Sequence, residues 1–261
     1  MKAKKLTLVT VAIALSVALA QHSAVAKKGG TSILHFMVRT EMTSTGFDPG
    51  AQGSINGKRN QQGHADNQRL EIVAANLQSN TTYFLLASTL DHLSPTNVDE
   101  FVTDGNGAAD IKYVKLGQGN ASPGGDPLPS GLDPISKIRA LAVSIGGTQD
   151  VLTADLTGPD KLQYLIKRAM TNDGVDADAA AALRIKATQS FVQFRIRASG
   201  LDPTSTCYLA INGSIAETEM SDASGDLNIE SLPGGAPDVL DITGLAVLNS
   251  ASNSVLSTTL P

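Results

Sequence analysis

The chain has 261 residues, 41% of them hydrophobic, and a formal net charge of −5 at pH 7. Tryptophan is absent, 4% of the residues are aromatic, and the single cysteine excludes an intrachain disulfide. Past the N-terminal segment there is no cluster of Lys and Arg. This argues against nucleic acid as a partner and against binding to a membrane surface through a polybasic segment. The composition therefore indicates a globular protein with an aliphatic core.

The N-terminal segment, residues 1–26, has the parts of a secretory signal peptide. Three lysines form its basic start, an apolar run of about 15 residues follows, and Ala24-Val25-Ala26 supplies a small-x-small cleavage motif. Cleavage after Ala20 is the alternative. Since roughly 20 residues are needed to cross a bilayer, we expect no membrane span after cleavage. The expected location is the periplasm, the cell surface or the extracellular space.

After this segment the sequence contains an internal repeat. The run Leu34–Arg39 returns as Leu162–Lys167 at an offset of 128 residues, and the offset between matched positions falls to 104 near the C-terminal end. Each copy of such a repeat is one folding unit. We therefore predict two domains, a longer one at residues 27–157 and a shorter one at residues 158–261.

The falling offset places the extra residues of the first copy at 88–100 and 117–131. Both stretches are rich in Gly, Pro, Ser and Asn, a composition typical of loops. If one copy has acquired a binding function that the other lacks, we expect these two segments to carry it.

Within each copy, apolar and polar residues alternate, as in half-buried strands; Val192–Ala198 is the clearest example. Turn-forming pairs such as Asn56-Gly57 and Asn212-Gly213 separate the runs. About seven short strands per copy predict an all-β fold of two tandem immunoglobulin-like, Greek-key β-sandwich domains that arose by internal duplication. A closed barrel is the alternative. The Ala-rich run 177–182 is compatible with one or two helical turns, as a local addition to the second copy.

The acidic turns Asp104–Asp110 and Asp222–Asn228 are the best candidates for a metal site. Both place side-chain oxygens at alternate positions, as in the first part of a calcium-binding loop, although the rest of such a loop is missing. A hairpin turn with side-chain-to-backbone hydrogen bonds is the competing interpretation. The candidate ligands are Asp104, Asn106 and Asp110 in the first copy and Asp222, Ser224, Asp226 and Asn228 in the second.

Catalytic motifs do not stand out. No Gly-x-Ser-x-Gly turn, Cys/His pair or Ser-x-x-Lys arrangement occurs in a suitable context, and His35, His64 and His92 match no short metal-binding spacing. Cys207 lies in an apolar run that predicts a buried strand residue. We therefore predict no catalytic residues and no cofactor.

Together these observations predict an exported, non-enzymatic protein that acts as a structural or binding and adhesion module of the bacterial cell envelope or extracellular space. Its expected partner is a protein or a glycan at the cell surface. One alternative is an enzyme or accessory domain that acts on an exported polysaccharide. The other is a calcium-stabilised adhesion module, which unfolding temperatures measured with calcium and with a chelator would distinguish.

Overall fold

Alternating apolar and polar residues build an all-β structure. The computed structural model describes residues 32–117 and 124–260, so the predicted signal peptide and part of the 117–131 insertion lie outside the described residues. The described part contains seventeen strands and three short 3-10 turns, and no α-helix. The strands are β1 (Ile33–Ser44), β2 (Gln52–Gln62), β3 (Ala65–Ala75), β4 (Thr82–Thr89), β5 (Thr96–Val102), β6 (Ala109–Lys115), β7 (Asp126–Pro127), β8 (Ile138–Ile145), β9 (Gln149–Asp155), β10 (Lys161–Asn172), β11 (Ala180–Thr188), β12 (Phe191–Ser199), β13 (Thr206–Ile211), β14 (Ser214–Met220), β15 (Leu227–Ile229), β16 (Gly244–Leu248) and β17 (Ser254–Thr259). The 3-10 turns are Ser130–Leu132, Ile135–Lys137 and Val239–Asp241.

Both repeats use the same strand order. In the first, β1, β2, β3 and β6 pair in sequence, and β9, β8, β4 and β5 form a second set. In the second, β10, β11, β12 and β15 repeat the first order, and β17, β16, β13 and β14 repeat the other. The ends of β1 and β10 turn away to pair with β9 and β17, so the antiparallel sheet curls in each repeat.

The hydrogen-bond register agrees with the sequence offsets. Equivalent rungs are 128 residues apart in β1 and β10, 124 in β3 and β12, and 118 in β6 and β15. Leu85 and Leu209 occupy equivalent rungs, and two residues before them stand Tyr83 and Cys207, both buried. The counterpart of Tyr83 is therefore the thiol and not Tyr208, which is only half-buried. Burial raises the pKa of Cys207, as expected for an unreactive core cysteine.

A ladder between β1 and β10 joins the two repeats into one sheet, which we call the shared sheet. Its strand order is β15-β12-β11-β10-β1-β2-β3-β6-β7. Phe36 pairs directly with Tyr164, its own counterpart at offset 128, and their rings meet edge to face with centroids 6.4 Å apart. A pseudo-twofold axis therefore passes between these two residues, as in a symmetric dimer interface.

Arg139 links the repeats a second time. It is 7% exposed, donates to the carbonyl oxygen of Leu240 and forms an ion pair with Asp241 at 3.1 Å. A buried guanidinium needs several acceptors, and Arg139 finds them in both repeats, since it also donates to the carbonyl of Ser136.

A single hydrophobic cluster fills the space behind the shared sheet. Alternate residues of both strand sets point into it, among them Ile55, Ile72, Val143 and Val247, each fully buried. This alternation explains why the period-two pattern of the sequence identified the strands so well.

A buried polar network ties the segment that follows the 117–131 insertion to β2 and β3. Arg59 forms an ion pair with Asp66 at 2.9 Å and donates to Ser136, and Gln68 donates to Asp66 and to Asp133. Burial opposes ionisation of Asp66, but the hydrogen bond and charge of Arg59, together with Lys115 and Gln68, hold its pKa below the ordinary value. The buried side chains of Arg59 and Gln68 therefore find their hydrogen-bond partners in Asp66 and in Asp133 and Ser136 of that segment.

Three local predictions need correction. Asn56-Gly57 is not a turn but lies inside β2, where a Cβ on Gly57 would come within 2.9 Å of a Val38 methyl group. The Ala-rich run 177–182 forms no helix, because its last three residues pair in β11 with β10 and β12. The 88–100 segment is only partly a loop, since β4 extends to Thr89 and β5 starts at Thr96.

Candidate functional site

The outer face of the shared sheet carries most of the cations. On the strands from β15 to β6, alternate residues point away from the core, and ten of the fifteen Lys and Arg residues between 32 and 260 occupy such positions. We call this surface the basic face. Its cations are Arg39, Lys58, Arg69, Lys112, Lys161, Lys167, Arg184, Lys186, Arg195 and Arg197.

Acidic residues are few on this face, and three of its four carboxylates lie on or beside its outer strands. Only four of the 25 carboxylates of the chain lie on it: Glu41, Glu71, Asp110 and Glu230. Glu71 and Asp110 pair with Arg69 and Lys112 at one side, and Glu230 pairs with Arg195 and Arg197 at the other. The six cations of the four central strands, β2, β1, β10 and β11, have no carboxylate within 4.0 Å among the described residues.

Several of these cations face one another across strands. Lys167 stands directly opposite Arg184, which stands directly opposite Arg195. Arg39 pairs with Lys161, and Lys58 pairs with Arg69. Like charges directly opposite each other destabilise a sheet, so this arrangement costs the free protein some stability.

Four of the basic residues surround a shallow cavity of about 380 Å³, which we call the hollow. Its rim is formed by Lys167, Arg184, Arg195 and Arg197. Its floor is low because Ala169 and Ala182, directly opposite each other in β10 and β11, have small side chains. The hollow offers guanidinium and ammonium donors around an apolar floor, which suits a compact anionic group.

Amide side chains lie between the cations of the central strands. Asn56, Asn60 and Gln163 point outward there, and the amide oxygen of Asn60 lies 2.5 Å from Nδ1 of His35. Besides the imidazole of His35, no aromatic side chain points outward on these four strands. The centre of the face thus carries charges and amides beside the half-buried side chains of Met37 and Leu165.

Sequence reasoning missed this face because its members are dispersed along the chain. The one local signal is the alternation Arg184-Ile185-Lys186 and Arg195-Ile196-Arg197, which correctly predicts strands. Only the pairing of β10, β11 and β12 shows that these cations meet. Cations two residues apart in a strand lie on the same face, so those of adjacent strands form one basic patch without a continuous basic run in the sequence.

The candidate calcium ligands form two equivalent turns. The backbone N–H groups of Asn106 and Ala108 donate to Oδ1 of Asp104, both at 2.8 Å, and lower its pKa. In the second repeat the N–H groups of Ser224 and Asp226 donate to Oδ1 of Asp222 at 2.8 and 2.9 Å. These hydrogen bonds are those of the competing hairpin-turn interpretation.

The remaining candidate ligands lie on the strands that leave these turns. Asp110 points outward from β6 and binds Lys112 at 2.5 Å, and Asn228 donates from β15 to Glu230. Among the residues that the structure describes, no group of three or more His, Cys, Asp and Glu side chains is close enough to hold a metal ion.

A groove of about 590 Å³ lies between β5 and β6 in the first repeat. Across it the hydroxyl of Tyr113 donates to Asp99 at 2.6 Å. Burial, followed by the bond to Asp99, raises the pKa of Tyr113, so the phenol stays protonated and acts as a donor. This contact links the outer edge of the 88–100 segment to the core.

Comparison with known proteins identifies no relative. The chain matches no protein-family model, no curated protein and no solved structure. Within the described residues there is also no helix with the length and hydrophobicity that crossing a membrane requires.

Proposed function

We propose that the chain is an exported, non-enzymatic protein of the bacterial cell envelope or extracellular space that acts as a structural or binding module. In this proposal residues 1–26 are the signal peptide, and residues 27–157 and 158–261 are two immunoglobulin-like β-sandwich repeats. The outer face of the shared sheet is the surface that meets the partner.

The strand order supports the immunoglobulin-like part of the proposal. In the first repeat the chain passes between the two strand sets from β3 to β4, from β5 to β6 and from β6 to β8, and it places β6 beside β3 and β8 beside β4. Connections of this kind are typical of Greek-key sandwiches. The second repeat has the same neighbours, with β15 beside β12 and β16 beside β13.

The observation that carries the binding role is the ladder between β1 and β10. It joins two repeats that would otherwise present separate sheets, and it aligns their outer faces around Phe36 and Tyr164. A rigid surface that spans both repeats suits recognition of an extended partner better than catalysis in an enclosed site.

The test has two measurements. The full chain is expressed in a bacterium with a C-terminal tag, and the mass of the exported product is determined; removal of residues 1–26 is expected. The exported protein is then sedimented with isolated cell envelopes, beside an exported globular protein of similar charge as control. An uncleaved precursor retained in the cell, or no co-sedimentation above the control, would contradict the proposal.

A further inference from the structure

We propose that the basic face is a binding surface for a linear acidic polysaccharide whose carboxylate or sulfate groups lie across the strands of the shared sheet. This inference rests on the proposed binding function and specifies the chemistry of the partner.

The first support is the charge that the free protein leaves uncompensated. The chain carries a net charge of −5, yet the four central strands of the face have six cations without a carboxylate partner among the described residues. In the row Lys167, Arg184 and Arg195, like charges also face one another on adjacent strands. An anion bound across such a row would turn a repulsion into charge-assisted hydrogen bonds.

The second support is the spacing of the cations. Adjacent strands lie about 4.8 Å apart, so a row of cations across three strands presents charge at regular intervals. The pseudo-twofold relation places cations in the first repeat too, because Arg39 corresponds to Lys167 and Lys58 to Lys186, although the neutral Asn56 stands where the second repeat has Arg184. A row of cations in the second repeat with further cations across the axis suits a polymer with a repeated anionic group better than a single small anion.

The third support distinguishes a polysaccharide from other polyanions. The amides of Asn56, Asn60 and Gln163 lie between the cations, where they can donate to and accept from sugar hydroxyl groups. The central strands present no Phe, Tyr or Trp outward on which unpaired bases could stack. They also lack the exposed, large apolar side chains that would insert into a lipid surface.

The hollow is the position at which one anionic group would sit. The side chains of Lys167 and Arg184 reach it from two strands, while Ala169 and Ala182 leave room for the group. A longer side chain at position 182 would occupy this space without altering the charge of the face.

The test measures binding of the exported chain to polygalacturonate, a linear polymer with one carboxylate per sugar, with uncharged dextran as control. The double variant Lys167→Gln/Arg184→Gln is compared with Lys115→Gln/Lys137→Gln, which removes the same charge away from the face. We expect the first to weaken binding about 20-fold and the second less than about threefold. Ala182→Leu, which keeps every charge, is expected to weaken binding about fivefold.

Salt provides an independent readout. Because the contacts are ionic and exposed, the affinity of the unaltered chain for polygalacturonate should fall steeply as the salt concentration rises. Equal losses in the two double variants would overturn the inference, since net charge alone would then explain the binding. Circular dichroism of each variant confirms that the fold is intact.

Two further probes test the class of partner. Tighter binding to a short DNA duplex, or to vesicles containing an anionic phospholipid, than to polygalacturonate would overturn the assignment. An exported chain that sediments with cell envelopes but does not bind polygalacturonate would disprove this inference and leave the proposed function standing. A chain that binds polygalacturonate but is not exported would disprove the proposed function instead.

Discussion

The two repeats share a scaffold but cover one end of the core differently. In the first repeat Arg59 and Gln68 are buried, at 5% and 2% exposure, and donate to Ser136 and Asp133. The residues at the equivalent rungs of the second repeat are Ala187 and Val192, and Val192 is 44% exposed. An Arg and a Gln are buried at these rungs only in the first repeat, where Asp66, Asp133 and Ser136 provide their hydrogen-bond partners. Substitutions at features that both repeats share should therefore lower the stability of both to the same extent. Substitutions in the polar network should lower the stability of the first repeat alone.

The largest effect is expected from Arg59→Ala. It leaves the half-buried carboxylate of Asp66 without its main partner and removes the donor to Ser136. We expect a loss of about 3 kcal/mol in the free energy of unfolding, measured by urea denaturation. Lys137→Ala, which removes an exposed pair with Asp91, should cost less than about 0.5 kcal/mol. Similar losses for the two variants would show that the network does not stabilise the first repeat.

Equal effects are expected for Gly107→Ala and Gly225→Ala. Both glycines have positive φ, and an added Cβ would lie 1.9 Å from the carbonyl oxygen of Leu77 or 2.1 Å from that of Leu201. Each substitution should cost about 2 kcal/mol or more in thermal or urea unfolding, because strain and clash add.

The matched control for these turns is Gly213→Ala, where φ is +81° but no atom lies within 4 Å of the added Cβ. There only the backbone strain remains, and we expect about 1 kcal/mol. A large loss at Gly107 with none at Gly225 would mean that the two turns are not structurally equivalent.

A smaller, pH-dependent effect is expected at Asp66. Its folded pKa lies below the ordinary value of 3.8, so it contributes stability above that pH and loses it as the pH falls through the lowered folded pKa. Asp66→Asn should therefore be less stable than the unaltered chain at pH 7, and the difference should shrink as the pH falls below 3.8. The measurement is urea unfolding of both proteins at several pH values; a constant difference would contradict the role of the charge.

The smallest effect is expected from Arg184→Gln. The counterpart of Arg184 in the first repeat is Asn56, which is neutral. Removing the charge relieves repulsion from Lys167 and Arg195, so the melting temperature should rise by roughly 1 °C at low salt. At about 1 M salt the gain should vanish because the charges are screened. A fall in melting temperature would indicate that Arg184 stabilises the fold rather than serving a partner.

Much of the fold was predictable because it depends on local periodicity. The alternation in Val192–Ala198 correctly located β12, and the offsets of the repeat agree with the register of the ladders. The helical turns predicted for the Ala-rich run are absent because strand pairing with β10 and β12 outweighs helix propensity. The turn predicted at Gly57 was wrong for a related reason. Gly57 lies in a strand, and its lack of a side chain makes room for Val38.

The sequence by itself determined that the chain is all-β, that it is built twice from one pattern, and where the two copies differ in length. These properties depend on period-two alternation and on matched strings, both of which are local. Tertiary structure alone decided that β1 pairs with β10, which places Phe36 against Tyr164 and joins the two repeats in one sheet. Because that pairing brings together residues far apart in the chain, it also built the basic face together with the ladders of β11 with β10 and β12, and no single stretch of sequence contains that face.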